Sequence, residues 1–231
     1  MIKIFLIFIL LQFNILHARQ ILLVVSENFN STKAKLYTFE DSKSVFRGID
    51  VNIGRNGLAW DGDDKYFHHD KKEPLKREGD GKSPAGVFLL KSSFGYEDND
   101  FLLPYIKSTT EKICVDDADS DFYNRIIDMP KEQPKSFENM KRDDIQYKIG
   151  VVVDYNPNKV KNRGSCIFLH VQKEKDHPTA GCTSMRYEDL RKILKWLDPN
   201  KKPLLIQIPK NYIKEIPKEL LSTDAISFKK L

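Results

Sequence analysis

The sequence is poor in cysteine and lacks the spacings that usually hold a metal ion. Its 231 residues include only three cysteines, Cys114, Cys166 and Cys182, and five histidines. Because no Cys-x2-Cys or His-x3-His pair occurs, a zinc site is disfavoured, and we predict no metal and no cofactor. An odd number of cysteines leaves at least one thiol unpaired, and Cys182 is the best candidate. The sequence leaves open whether Cys114 and Cys166 pair or Cys166 is simply a buried core residue.

Charge of one sign is not concentrated over most of the chain, and long apolar runs are absent after the N-terminus. The net charge is +5, but lysines and arginines alternate with acidic residues along nearly the whole chain. This pattern indicates a solvated, mildly basic surface, so we predict no nucleic-acid partner. A membrane-spanning helix needs about 20 apolar residues, and no later segment comes near that length. We therefore predict no integral membrane span once an export signal has been removed.

The N-terminus has the pattern of a secretion signal. Lys3 supplies one early positive charge, Ile4–Leu11 forms an apolar stretch, and Ala18 is a small residue at which a signal peptidase can cut. Polar residues interrupt the apolar character after this stretch, so an uncleaved anchor is the less favoured alternative. We predict a signal peptide over residues 1–18 and a single domain over residues 19–231 that works outside the cytoplasm.

Short β-branched or alternating segments dominate the rest of the chain and predict a mainly β protein. Each is bounded by Gly, Pro, Asn or Asp, as the strands of a sandwich or barrel usually are. The predicted strands are Ile21–Val25, Ala34–Phe39, Val45–Ile53, Gly86–Leu90, Ile149–Val153, Cys166–Val171 and Leu204–Ile208. One helix is predicted over Tyr187–Leu197, where apolar residues recur at helical spacing and Thr183 or Ser184 can cap the start. Residues 61–83 and 94–147 are predicted as long loops.

A histidine and a cysteine that lie close in sequence form the candidate catalytic pair. His170 ends a predicted apolar strand, and Cys182 follows Gly181 after a short turn. A thiol becomes a useful nucleophile only when a base or a positive charge takes its proton, so the two residues make a mechanistic unit. The predicted helix would place the thiol just before a helix N-terminus, which favours a thiolate. His177, in a charged turn five residues before Cys182, is the rival base.

Two stretches of the chain resemble the L,D-transpeptidase catalytic domain, the YkuD-like family of peptidoglycan cross-linking enzymes. The first is Gly-Asp-Gly-Lys-Ser-Pro-Ala-Gly-Val-Phe at residues 79–88, and the second is Thr-Ala-Gly-Cys at 179–182, together with His170. The resemblance extends over about residues 55–209. Within the first stretch, Ser-Pro-x-Gly-x-Phe is a hallmark of the fold rather than of the chemistry, because its Pro and Gly set the geometry of a turn entering a strand.

The chain departs from the commoner family pattern on both sides of the cysteine. That pattern is Ser-His-Gly-Cys with Arg or Asn two residues after the cysteine, whereas here Ala180 and Ser184 stand at those places. Ala before the Gly-Cys resembles one branch of the family, in which a stretch like Asp-Asp-x-x-Ser-x-x-Tyr-Asn also recurs. The predicted substrate-binding residues are Thr183, Ser184, Arg186, Tyr123 and Asn124.

The resemblance implies a β-sandwich or barrel-like catalytic domain and a periplasmic role in cell wall biogenesis. Cys182 would be the nucleophile, His170 the general base, and the backbone around Gly181 the oxyanion site. The thiolate would attack the carbonyl of the L-centre in a peptidoglycan stem tetrapeptide and release D-alanine, leaving a thioester. An amine acceptor then completes an L,D-transpeptidase reaction, whereas water makes the protein an L,D-carboxypeptidase. A non-catalytic peptidoglycan-binding domain that keeps the fold is the alternative from another class.

Overall fold

The protein, described by a computed structural model over residues 20–41 and 43–220, is mainly β with one α-helix in that range. The predicted signal peptide, residues 1–18, lies outside the described residues. The strands are β1 (Gln20–Ser26), β2 (Lys33–Glu40), β3 (Lys43–Ser44), β4 (Ile49–Asn52), β5 (Leu58–Trp60), β6 (Ser83–Gly95), β7 (Tyr105–Lys107), β8 (Lys112–Val115), β9 (Ile126–Asp128), β10 (Phe137–Asn139), β11 (Ile149–Val153), β12 (Phe168–Val171), β13 (Thr183–Met185) and β14 (Leu204–Pro209). Helix α1 covers Tyr187–Trp196, and 3-10 turns cover Pro199–Lys201, Lys210–Glu215 and Lys218–Leu220. No helix within the described ranges is long and apolar enough to cross a membrane.

The main sheet closes on itself. Its strand order is β1-β14-β6-β11-β12-β13-β4-β2, and β2 pairs back onto β1 in antiparallel register. Two of these pairings are parallel, β1 with β14 and β12 with β13. Strand β6 is the longest, because its first half pairs with β14 and its second half with β11. The barrel-like architecture expected from the sequence is therefore confirmed.

Each predicted strand overlaps an observed one, although the predicted strand Val45–Ile53 is a strand only over Ile49–Asn52, and one predicted loop contains regular structure. Residues 94–147 hold strands β7 to β10, and β8 pairs with both β9 and β10 in a separate small sheet. These strands are only three or four residues long, which is too short for an alternating pattern to stand out from the surrounding charged residues. The loop at residues 61–83 contains no strand before Ser83.

Two buried clusters lie on opposite faces of β12. Leu169 and Val171 point into the large core, which the apolar face of α1 also joins. Phe168 faces a smaller cluster that lies between the main sheet and the small one. The members of this second cluster are Phe94, Cys114, Met140, Tyr147, Cys166, Phe168 and Cys182. All three cysteines of the chain therefore meet in one place.

A disulfide joins the small sheet to the main one. Cys114 of β8 is bonded to Cys166, two residues before β12, with their Cα atoms 6.0 Å apart. Cys182 is the free cysteine, and it is buried. The Cys114–Cys166 pair, which the sequence left open, is thus present. Cys182, the predicted free thiol, is the cysteine that remains unpaired.

Reduction of this disulfide should destabilise the fold. The bond closes a chain segment of 52 residues, and cross-links of that kind contribute about 2–4 kcal/mol to the free energy of unfolding. We expect the oxidised Cys182→Ala variant to unfold at a lower denaturant concentration once a reductant is added. The Cys182→Ala background ensures that the effect comes from the disulfide. The Cys114→Ala/Cys166→Ala/Cys182→Ala variant should show no response to the reductant, and equal stability of the oxidised and reduced forms would contradict the prediction.

Candidate active site

Cys182 lies at the entrance of β13, directly beside the start of β12. The parallel register pairs Leu169 with Thr183 and His170 with Ser184. The backbone N–H of Phe168 donates to Cys182 Sγ at 3.3 Å, and Sγ lies 3.5 Å from the carbonyl oxygen of Cys166. Because side chains two residues apart on a strand share a face, Phe168 and His170 point to the same side of β12. The fold thus brings the predicted nucleophile and base to one face of two neighbouring strands.

The prediction that Cys182 immediately precedes a helix is wrong. Residues Thr183–Met185 form strand β13, and α1 begins only at Tyr187. Its N-cap is Arg186, which makes no side-chain capping hydrogen bond, so neither Thr183 nor Ser184 caps the helix. Strand β13 is only three residues long, which is too short to show an alternating pattern in the sequence. The sequence alone therefore predicts a turn followed directly by the helix. The helix dipole therefore does not act on the thiol.

Two hydroxyl groups hold the main-chain carbonyl of Cys182 instead. Ser83 Oγ donates to this oxygen at 2.8 Å and Thr179 Oγ1 donates to it at 2.6 Å. Each hydroxyl is itself oriented by a backbone donor, Gly54 N–H for Ser83 at 2.9 Å and Gly181 N–H for Thr179 at 3.1 Å. The Ser-Pro-x-Gly-x-Phe stretch thereby contacts the nucleophile segment directly, through its serine.

His170 is buried, and its surroundings define its tautomer. Its Nδ1 lies 2.8 Å from the carbonyl oxygen of Val171. Since a carbonyl only accepts, Nδ1 carries the hydrogen and Nε2 keeps its lone pair. Burial lowers the pKa of His170 to about 4, and the positive charge of Arg142 acts in the same direction, while the Val171 carbonyl opposes the shift. The imidazole is therefore a neutral acceptor at physiological pH.

The thiol of Cys182 is also held in its neutral form. Burial raises its pKa well above the usual range, and the neighbouring Glu138 carboxyl adds to this effect. The N–H of Phe168 and the positive charges of Lys76 and Arg142 partly offset the rise. Only 8% of Cys182 is exposed, so little of the residue is open to solvent. The resting site is thus a thiol and an imidazole that are both uncharged.

Aromatic rings cover the pair. Tyr147 contacts both the ring of His170, at 5.4 Å between centroids, and the ring of Phe168, at 5.6 Å. Phe94 packs edge-on against Tyr147 and Phe168. This arrangement requires a glycine at position 150, because a Cβ there would lie 2.2 Å from Phe94 Cζ. The hydroxyl of Tyr147 donates to Glu138, which ties the cover to strand β10.

The predicted residues that follow Cys182 point in different directions. Thr183 is buried and its Oγ1 donates to Gln207 Oε1 at 2.7 Å, on the face opposite the thiol. Ser184 is buried between β12 and β4. The side chain of Arg186 is 72% exposed and forms an ion pair of 2.7 Å with Asp189. Their contact with substrate stays a prediction.

Tyr123 and Asn124 support the segment that leads into β12. The Tyr123 hydroxyl donates to Glu78 and accepts the N–H of Gly164 at 3.1 Å. Asn124 Oδ1 accepts the N–H of Cys166 at 3.0 Å, and its Nδ2 donates to two main-chain carbonyls after β11. These contacts are internal to the protein, and a role toward substrate stays a prediction for both residues.

The remaining site predictions concern other residues of the turn. His177, the rival base, is exposed in the loop between β12 and β13, where its backbone N–H contacts Glu174. The N–H of Gly181 points at Thr179 rather than into an open oxyanion site. Within residues 20–41 and 43–220, no group of three His, Cys, Asp or Glu side chains is arranged to hold a metal ion.

Several residues of the site were not found from the sequence. Ser83 belongs to a motif that we interpreted as structural, and Thr179 belongs to the turn before Gly-Cys. Their positions in these two motifs were the only sequence features that could have pointed to a role in the site. Tyr147, Glu138 and Arg142 lie in a segment read as a loop, where nothing distinguishes them from surface residues. They come together only because the small sheet folds over β12.

Comparison with known proteins identifies one family. The model of the L,D-transpeptidase catalytic domain, YkuD, matches residues 24–206, a range that includes both sequence motifs and the strands around them. This confirms the resemblance inferred from the two stretches. No curated protein and no solved structure matches the chain.

The buried imidazole should make stability depend on pH. Between pH 6.5 and about 4 the unfolded chain binds a proton at His170 that the folded chain does not, so stability falls as the pH falls through this window. We expect a loss of roughly 2–3 kcal/mol between pH 7 and pH 4.5 from this residue. Denaturant unfolding of His170→Gln should show a smaller loss by that amount. His177→Gln, which removes an exposed imidazole, is the control, and identical pH slopes for His170→Gln and wild type would contradict the assignment.

Loss of the Ser83 hydroxyl should weaken the segment that carries the thiol. Ser83→Ala removes one donor to the Cys182 carbonyl and leaves the buried Gly54 N–H without its acceptor, which costs about 1–3 kcal/mol. We expect a lower denaturation midpoint and faster labelling of Cys182 by a small thiol reagent, measured by mass. Ser83→Thr, which keeps a hydroxyl, should recover most of both. Ser92→Ala on the same strand is the matched control. Equal midpoints and equal labelling rates for Ser83→Ala and Ser92→Ala would contradict the role of the two hydrogen bonds made by the Ser83 hydroxyl.

Proposed function

The chain belongs to the L,D-transpeptidase catalytic domain family, and on this premise we propose that it is a cysteine enzyme acting on peptidoglycan stem peptides. The proposed reaction is L,D-transpeptidation with Cys182 as nucleophile and His170 as base. The observation that carries the proposal is the placement and the hydrogen-bonding state of Cys182 and His170. A free thiol and an imidazole with its Nε2 lone pair available face the same side of neighbouring strands, next to a motif of the family.

Proton transfer and attack occur together in the proposed mechanism. Because the pKa of Cys182 is raised and that of His170 is lowered, a standing thiolate–imidazolium pair is disfavoured in the resting site. His170 Nε2 therefore takes the thiol proton as Sγ bonds to the carbonyl carbon of the L-centre. The N–H of Phe168, which already points at Sγ, stabilises charge that develops on sulfur before the bond is complete.

The second half of acylation expels D-alanine. The carbonyl oxygen becomes an oxyanion in the tetrahedral intermediate, and backbone N–H groups near Cys182 stabilise it. The N–H of Cys182 is the candidate in this segment, since that of Gly181 is engaged by Thr179 and Thr183 pairs with Leu169 in the sheet. The imidazolium of His170 returns its proton to the amine of the leaving D-alanine as the C–N bond breaks. The stem peptide then remains attached to Cys182 as a thioester.

The acceptor decides between two products. A primary amine from a second stem peptide attacks the thioester, loses a proton to His170 and forms a cross-link, whereas water in the same position gives a trimmed peptide. We propose the transpeptidase outcome, because the aromatic cover of Tyr147, Phe94 and Phe168 limits access of water to the thiol. A thioester survives longer in such a site.

The proposed compartment is the periplasm. A structural disulfide persists in oxidising compartments and is rare in the cytosol, and Cys114 and Cys166 form one here. The predicted signal peptide at residues 1–18 supplies the route of export, and peptidoglycan stem peptides are found on that side of the membrane. The disulfide and the substrate class therefore favour the same location.

Incubation of the mature protein with tetrapeptide muropeptides tests the proposal. We expect release of D-alanine, an intact-protein mass that increases by the muropeptide less D-alanine, and cross-linked dimers among the products. Cys182→Ala should abolish the adduct and all products, and His170→Ala should lower the rate of acylation by about 10²–10⁴-fold, the usual contribution of a general base. His177→Ala should leave the rate near that of wild type.

The products also separate the alternatives. Trimmed tripeptides without dimers would assign the protein as an L,D-carboxypeptidase. Binding of muropeptides without any adduct or D-alanine would make it a non-catalytic binding domain. Turnover by Cys182→Ala at the wild-type rate would contradict the proposed nucleophile.

A further inference from the structure

Two cations close to the thiol, Arg186 in the sequence and Lys76 in the fold, are already paired with carboxylates. Ser184, the residue two positions after the cysteine, is neutral and buried in β13. Arg186 extends to solvent and is paired with Asp189 at the start of α1. Lys76, whose charge acts on the thiol, has a side chain only 4% exposed that is bound to Asp80 at 2.7 Å. A carboxylate next to the scissile bond therefore needs a partner from elsewhere in the fold.

Arg142, in the loop after β10, lies next to the tyrosine that covers His170. Its Cζ is 5.2 Å from the centroid of the Tyr147 ring, and the ring of Tyr147 is 5.4 Å from that of His170. The guanidinium therefore lies on the aromatic ring that covers the base. Its charge also acts on both partners, since it lowers the pKa of His170 and that of Cys182.

The guanidinium is oriented but not fully occupied. Asp144 binds it from the side, with Nε donating at 3.1 Å to one carboxylate oxygen and Nη2 donating at 3.0 Å to the other. Gln146 donates to the same carboxylate through its backbone and side-chain nitrogens, at 2.9 and 2.6 Å, which holds the pair in place. These contacts use Nε and one hydrogen of Nη2. The outer edge, Nη1 with the second hydrogen of Nη2, is left with two parallel donors, the arrangement that binds a carboxylate most strongly.

We propose that Arg142 binds the terminal carboxylate of the leaving D-amino acid and so selects stem peptides with a free C-terminus at that residue. The inference rests on the proposed function and names the recognition element of the same site. In such a donor the terminal carboxylate carbon lies within roughly 4 Å of the scissile carbonyl carbon, the span of one residue. The guanidinium of Arg142, on the ring that covers His170, is the proposed partner of this carboxylate.

The test compares two donors that differ only at the terminal group. One is the tetrapeptide muropeptide with its free carboxylate, and the other is the same peptide ending in D-alaninamide. With wild-type protein we expect acylation, followed by intact mass, to favour the acid by about 10–100-fold in kcat/KM, the usual value of a charge-assisted hydrogen-bonded pair. Arg142→Ala should lower kcat/KM for the acid about 10–100-fold more than for the amide, so that the ratio of the two falls to about one and the preference disappears. Arg142→Lys should keep part of it.

Two arginine variants serve as comparisons. Arg191→Ala removes an exposed arginine of α1 and should keep the full preference for the acid. Arg186→Ala tests the rival position. The inference is overturned if Arg142→Ala retains the wild-type preference, or if Arg186→Ala is the variant that loses it. Thermal melting of each variant shows whether it is folded, and Arg142→Gln, which keeps the length of the side chain, replaces Arg142→Ala if the latter is unstable.

Equilibrium binding separates this inference from the proposed function. Binding of the acid and the amide to the Cys182→Ala variant, with and without Arg142→Ala, requires no turnover. Tighter binding of the acid that depends on Arg142 supports the inference even if wild-type protein forms no acyl-enzyme, an outcome that would instead contradict the proposed reaction. Equal binding of both peptides to Cys182→Ala, together with equal acylation by wild type, would reject the role of Arg142 and leave the reaction intact.

Discussion

The parallel pairing of β12 with β13 is the constraint on which the site depends. Parallel neighbours need a crossover connection, and here the turn of residues 172–182 makes that crossover and ends at the nucleophile. Pairing of His170 with Ser184 then determines which face each side chain occupies, since a slip of one residue would turn Cys182 away from His170. The hydroxyls of Ser83 and Thr179 hold the same turn at the Cys182 carbonyl. The strand register and these two hydroxyl hydrogen bonds both fix the backbone of Cys182. The thiol is therefore positioned by strands rather than by a helix.

Burial gives the pair its chemical character. A helix N-terminus next to a thiol favours the thiolate, whereas burial among residues such as Phe168 and Tyr147 keeps Cys182 neutral at rest. A neutral thiol is less reactive toward oxidants, which matters for a free cysteine beside a disulfide in the proposed oxidising compartment. The cost is that proton transfer must accompany attack. His170 suits that role, because its Nδ1 is tied to the Val171 carbonyl and only Nε2 can move a proton.

The sequence predicted the sheet far better than the surroundings of the site. Strands such as Ile149–Val153 carry their own apolar pattern, and the His170 and Cys182 pair could be found from the chemistry of thiols and from family motifs. Strand β13 was not predicted, because three residues between a turn and a helix are too few to show an alternating apolar pattern. The Tyr147, Glu138 and Arg142 group escaped for a different reason. These residues become neighbours of the thiol only through long-range pairing of the small sheet and through the Cys114–Cys166 bond, and no local pattern encodes such contacts.

The departures from the commoner family motif fit a change in how the substrate is held. A neutral Ser184 inside β13 allows the tight parallel pairing with His170, and it moves the need for a cation to another element. The loop that carries Arg142 is suited to supply it, because Met140 before it is fully buried and the Tyr96 hydroxyl contacts the loop at both the Arg142 N–H and the Asp144 carbonyl. The small sheet leads into this loop, and the disulfide bonds that sheet to Cys166, two residues before Phe168. The disulfide thus ties the strand before the thiol, the aromatic cover and the proposed carboxylate site to one another.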